Sequence, residues 1–130
     1  MAMANNALPR VMAWVIIGLG VAMFAGYLVY LPMPALFDTH NGQNNGLILY
    51  SLATAGAGFV AWGMMLGGMQ ASGIDRARML RSTAMGFAML AIMRLETAIF
   101  PFPPFDAMRG LPVVECVVFS LLALRIYKMQ

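Results

Sequence analysis

Four long apolar runs, each closed by proline or by a cluster of polar residues, restrict what this chain can fold into. Val11 to Leu31 is twenty-one residues without a charge, and about 20 apolar residues are enough for a helix to cross the hydrocarbon of a bilayer. Gly46 to Met69 is a second uncharged run. Leu80 to Phe100 and Leu111 to Tyr127 are the third and fourth, and they carry the few charges that fall within apolar sequence. A backbone in lipid must satisfy its own amides, which leaves helices or closed barrels. Runs of this length predict an all-α fold. We expect a four-transmembrane-helix bundle forming one integral membrane domain over residues 1–130, with helices near 11–31, 46–69, 79–100 and 111–128.

Composition agrees with lipid as part of the solvent. The chain is 62% hydrophobic and 10% charged, with mean hydropathy +0.79, so too few polar groups exist to cover a water-soluble sphere. The net charge of +3 does not point to nucleic acid, because the basic residues sit at the ends of apolar runs and form no stripe with interleaved aromatics. Met1 to Pro9 is too weakly charged for a secretory n-region, and the run after it is too long for an h-region.

The charges instead indicate topology. On a path of four alternating helices, Arg10, Arg76, Arg78, Arg81, Arg125 and Lys128 fall on one side, while Arg109 faces Asp38 and Asp106 on the other. The positive-inside rule then predicts both termini in the cytoplasm, in a bacterial inner membrane. So strong a bias disfavours the dual-topology design of small multidrug transporters, whose essential first-helix glutamate has no counterpart here. Tyr27, Tyr30, Tyr50, Phe100, Phe102 and Phe105 gather toward the outer boundary, with Trp14 and Tyr127 toward the inner one.

Small residues suggest where helices meet. Gly18, Ala22 and Gly26 recur at four-residue spacing, as do Ala53, Ala57 and Ala61, and Gly63 with Gly67 forms a GxxxG pair. Such stripes let backbones approach closely, so Gly18, Ala22, Gly26, Gly63 and Gly67 are expected at helix-packing faces. The single cysteine, Cys116, can form no internal disulfide and reads as packing. His40 is the only histidine; with Asp38 it offers two ligands where a metal site usually needs three or four. No metal site is expected, and a haem or chlorophyll would lack its commonest axial ligand. We expect no cofactor held by this chain alone, with contact to a lipid, quinone or pigment left open.

Ionisable groups in hydrocarbon are costly unless paired, wetted or used. Counting inward from Pro101 to Phe105 puts Arg94 roughly 9 Å deep and Glu115 roughly 6 Å deep, at about 1.5 Å per residue. Arg94 and Glu115 are therefore expected to pair across the last two helices. Glu96, roughly 200° around its helix from Arg94, is expected to snorkel outward, and Thr97 to donate to the same region. Two readings remain open for Arg94, Glu115, Glu96 and Thr97: a structural ion pair, or a polar ligand-binding site. Phe102 and Phe105 in the proline-rich turn are expected to anchor in headgroups or dock a partner. Nothing resembles a catalytic dyad, phosphate loop or metal motif, so no catalytic residue is assigned.

The region from about residue 45 to 128 resembles the DoxX-like group of small four-helix membrane proteins. The likeness rests on the glycine-rich second helix, the run Arg76-Ala77-Arg78-Met79-Leu80-Arg81, then Gly86 and Arg94-Leu95, and Glu115 in the fourth helix. It implies a compact four-helix bundle and, for some relatives, association with quinone-linked redox complexes. Together these readings predict a non-catalytic accessory or assembly subunit of a larger inner-membrane complex handling electrons or light. Its partners would be the bilayer and other membrane subunits, with no nucleic acid. The alternative is a stand-alone binder, enzyme or carrier for a lipid, quinone or sterol-like molecule, using Arg94 and Glu115.

Overall fold

The computed structural model describes residues 7–37, 45–68 and 74–130. Among these are four long helices, α1 (Ala7–Tyr30), α2 (Asn45–Leu66), α3 (Arg76–Ile99) and α4 (Gly110–Lys128), with a short 3₁₀ turn at Pro34–Phe37, and no strand. Each long helix is long and apolar enough to cross a membrane. Asp38 and His40 lie outside the described residues, as does Met69 at the expected end of the second helix.

Proline sets several of the helix ends. Pro9 and Pro112 sit in the first turns of α1 and α4, where a missing N–H costs nothing because those amides have no helical acceptor. α1 can therefore begin at Ala7, before the start near residue 11 expected from the uncharged run. Pro101 follows α3, whose last turn closes with Phe100 N–H donating to the Glu96 carbonyl at 2.8 Å. Asp75 occupies the cap position before α3 but its carboxylate makes no capping bond; only its backbone carbonyl takes part, accepting from Met79 N–H at 3.0 Å.

The helices run antiparallel in chain order. α1 packs mainly on α2 and α4 on α3, and the two hairpins join through α2 and α3. The α1–α2 seam is backbone against backbone: a Cβ at Gly20 would lie 2.6 Å from the Gly56 carbonyl, and one at Gly56 equally close to the Gly20 carbonyl. One turn-pair further along, a Cβ at Gly63 would meet Ile17 Cγ1 at 2.5 Å and the Ala13 carbonyl at 2.9 Å. Gly86 serves the α2–α3 seam, where a Cβ would come within 3.2 Å of Ala61 Cβ.

Within the chain, the α1 face that packs is not the one bearing the stripe. Gly18 and Ala22 are exposed and Gly26 is half-buried, and a Cβ at Gly18 or Gly26 would meet nothing within 4 Å. The buried residues of α1 are Ala13, Gly20, Phe24 and Tyr27, and their mean direction is roughly 170° around the helix from the stripe, at ~100° per residue. In a helix that is apolar all round, spacing alone does not choose which face turns inward. Gly67 also departs from expectation: it is exposed in the turn after α2, and a Cβ there would make only ordinary contact with Ala13. Of the GxxxG pair, Gly63 alone is at a tight approach.

Candidate functional site

At the end of the bundle where α1 and α3 finish and α2 and α4 begin, the core is aromatic. Phe24, Tyr27, Leu31, Ala53 and Met93 form its buried centre, with Tyr30, Tyr50 and Phe102 packed against them. Tyr27 meets Tyr50 and Phe102 edge-on, with ring centroids 5.8 and 6.2 Å apart. Phe105 lies 4.9 Å from Tyr50 and 5.3 Å from Phe102. Edge-to-face and offset contacts in this range are favourable for aromatic quadrupoles.

The Phe102 and Phe105 rings of the proline-rich turn therefore point inward rather than outward to headgroups or a partner, as was expected of them, while Pro103 and Pro104 stay exposed. Phe105 is buried and Phe102 half-buried. The reason is Gly46 at the start of α2, which leaves room for the Phe102 ring: a Cβ at position 46 would lie 2.7 Å from Phe102 Cδ2. Phe100, by contrast, stays exposed. Tyr27 is likewise not an interfacial aromatic, since no part of it reaches the surface.

Beneath this aromatic cap lie the polar residues. Thr97 Oγ1 donates to the Met93 carbonyl at 2.7 Å, as helix threonines do one turn back. With its proton directed there, Thr97 is the acceptor in its 2.6 Å contact with the Tyr27 hydroxyl, which donates. This bond ties α1 to α3. Nothing in the sequence spacing marks it, because the partners are seventy residues apart.

Arg94 is next along α3, 7% exposed. Its Nε lies 2.9 Å from Glu115 Oε2, across the α3–α4 seam, so the two charges matched in depth from the turn do meet. The N–H is not aimed at that oxygen, and neither atom completes a directed hydrogen bond. The guanidinium is also held against rings, its Cζ 4.4 Å from the centroid of Tyr50 and 5.9 Å from that of Phe119, within reach of cation–π attraction. Arg94 Nη1 is buried without a hydrogen-bond partner. Glu96 does not simply snorkel: it is half-buried, and its Oε2 is shielded and unpartnered.

Among the described residues, clefts of 290, 370 and 600 Å³ are lined by side chains other than Arg94, Glu96, Thr97 and Glu115. The arginine is packed among rings rather than set in a mouth. Among the described residues, no three of His, Cys, Asp and Glu gather as metal ligands.

Fold and site together define an all-helical protein with four candidate membrane-spanning helices and, among the described residues, one ion pair set between the last two of them. No protein family, curated protein or solved structure matches the chain.

Proposed function

We propose that this chain is a non-catalytic subunit of a larger membrane assembly, packing against a partner helix through the outer face of α1. The observation that carries this reading is the stripe Gly18, Ala22, Gly26, which lies on the face of α1 opposite its intrachain contacts and has open space in front of Gly18 and Gly26. Helices approach one another closely in lipid where side chains are small, and here that surface is left over after the chain has folded. The packed surroundings of Arg94 and Glu115 support a structural role for the pair, fixing α3 against α4. The DoxX-like resemblance adds quinone-linked redox complexes as the class of assembly.

Six basic residues at the end of the bundle bearing the termini support a cytoplasmic position for both, in a bacterial inner membrane. Thiol labelling of single cysteines placed at residues 10 and 106, in a Cys116→Ser background and on intact cells, tests it. Labelling at 10 and protection at 106 would overturn it.

Assembly is tested by gentle extraction and native mass measurement of the wild type beside Gly18→Leu and Gly26→Leu. Wild type should carry a stoichiometric partner chain; each variant should lose it while keeping its melting temperature. A wild type found alone or as a homo-oligomer refutes the reading.

A second reading, a binder for a quinone-like or hydroxylated amphiphile, is favoured by Arg94 Nη1 and Glu96 Oε2, both buried and unpartnered. It predicts that the apolar pair Arg94→Met with Glu115→Leu folds and assembles normally but loses the ligand.

A further inference from the structure

The opposite end of the bundle holds a second polar arrangement, distinct from the aromatic one. Between α2, α3 and α4 runs a cleft of 370 Å³ whose walls are almost entirely apolar, formed by Met64, Ala84, Ala88, Ala123 and Leu124, within the size range of small-molecule sites. Arg81 stands at its rim. Arg81 also lines an adjoining cleft of 290 Å³ with Asp75, Arg78 and Ser82, and Met64 is shared by both. The pair thus forms one continuous surface, greasy within the span and cationic where the span ends.

Two features specify an occupant. The apolar part follows α3 from Arg81 to Ala88, about 10 Å at 1.5 Å per residue, so it accepts an extended hydrocarbon chain lying along the helix. The rim is basic: Arg76, Arg78 and Arg81 on α3 outnumber Asp75, and Arg125 and Lys128 close α4 at the same end. Among the described residues, Arg78 makes a long 3.4 Å hydrogen bond to the Met64 carbonyl and packs over Gly68, while Arg81 donates through Nε to Gln130 at 2.7 Å, which leaves its two Nη groups without hydrogen-bond partners. Ser82 also lines the polar cleft but is 0% exposed, so the arginines rather than its hydroxyl are what a headgroup can reach.

We propose that this cleft holds an anionic phospholipid, one acyl chain between α2, α3 and α4 and the phosphate between Arg78 and Arg81. Arg81 and Arg78 supply charge-assisted donors to phosphate oxygens, and Asp75 at the same rim disfavours headgroups that would bring further negative charge. The lipid would fill the seam between the two hairpins at the end away from the Tyr27–Thr97 bond.

The test is lipid retention by the full chain in detergent, read by native mass spectrometry while phosphatidylglycerol or phosphatidylcholine of equal chain length is titrated in. Phosphatidylglycerol should be held at least tenfold more tightly. Arg78→Gln with Arg81→Gln, both on exposed side chains, should erase that preference. Ala123→Phe, which fills the apolar part, should abolish retention of either lipid. Glycerol 3-phosphate should not compete, because the chain provides the hold. Equal retention of the two lipids, an unchanged preference in the arginine variant, or displacement by glycerol 3-phosphate would each overturn the proposal.

Discussion

Removing Glu115 alone should harm this protein more than removing Arg94 alone, and removing both should harm it least. At 2.9 Å and an effective dielectric of about 20, the attraction is about 6 kcal/mol, set against a desolvation cost of several kcal/mol for each ion. The net value of the intact pair is thus near zero. Glu115→Leu strands a guanidinium that is 7% exposed, with only the Tyr50 and Phe119 rings to hold it. Breaking a buried pair in this way costs about 3 to 5 kcal/mol, and the Tyr50 ring at 4.4 Å, already in place in the wild type, gives no new compensation. Arg94→Met strands instead a carboxylate that is 31% exposed, which water or protonation can relieve, so a smaller loss is expected. Combining Arg94→Met with Glu115→Leu leaves no charge and nearly keeps the volume, so stability should return to within about 1 kcal/mol of wild type. Unfolding by sodium dodecyl sulfate in mixed micelles, followed by far-ultraviolet circular dichroism, gives all four corners of the cycle. If the double change costs the sum of the single ones, the side chains are not coupled and the pairing argument fails.

The Tyr27–Thr97 bond invites a similar cycle with an asymmetry fixed by proton direction. Thr97→Val leaves a buried Tyr27 hydroxyl with no acceptor and should cost about 1 to 3 kcal/mol, whereas Tyr27→Phe leaves Thr97 its Met93 carbonyl and should cost less; the coupling should be about 0.6 kcal/mol and no more than about 1.7, the range for hydrogen bonds inside membranes. Equal losses in the two single variants would reverse the donor assignment. Gly20→Leu should prevent the α1–α2 hairpin from closing, seen as loss of the cooperative thermal unfolding transition, while Gly18→Leu two residues away leaves that transition unchanged. The same effect at both positions would mean the α1 face has been assigned wrongly.

Those contrasts also mark what the amino-acid sequence conveys. Where the membrane-length helices lie was legible, because uncharged runs of twenty or so residues have few alternatives to a long helix. The Arg94–Glu115 meeting was legible for a similar reason: two charges at matched depth on helices joined by a short turn have little room to miss. Rotation was not. Gly18, Ala22 and Gly26 make a better-spaced stripe than Gly20 does, yet Gly20 is at the seam, since partner shape rather than regular spacing selects the face of a uniformly apolar helix. Phe102 and Phe105 looked like exposed anchors because apolar residues in a turn normally face the interface; the missing side chain of Gly46 admits one, and the Tyr50 ring stacks the other. Tyr27 with Thr97 gave no signal at all, as local sequence holds no record of contacts across three helices.

The serial arrangement of the helices bears on how the protein is made. If the helices enter a bilayer in chain order, α2 can settle on α1, α3 on α2, and α4 on α3, although α3 gains its larger contact only when α4 arrives. Contacts between sequence neighbours form quickly. The exception is the aromatic end, where Phe102 reaches back to Tyr30 and Thr97 to Tyr27. Joining that corner is the one step that requires the first and third helices at once, and it would complete the fold only after the proline-rich turn had been synthesised.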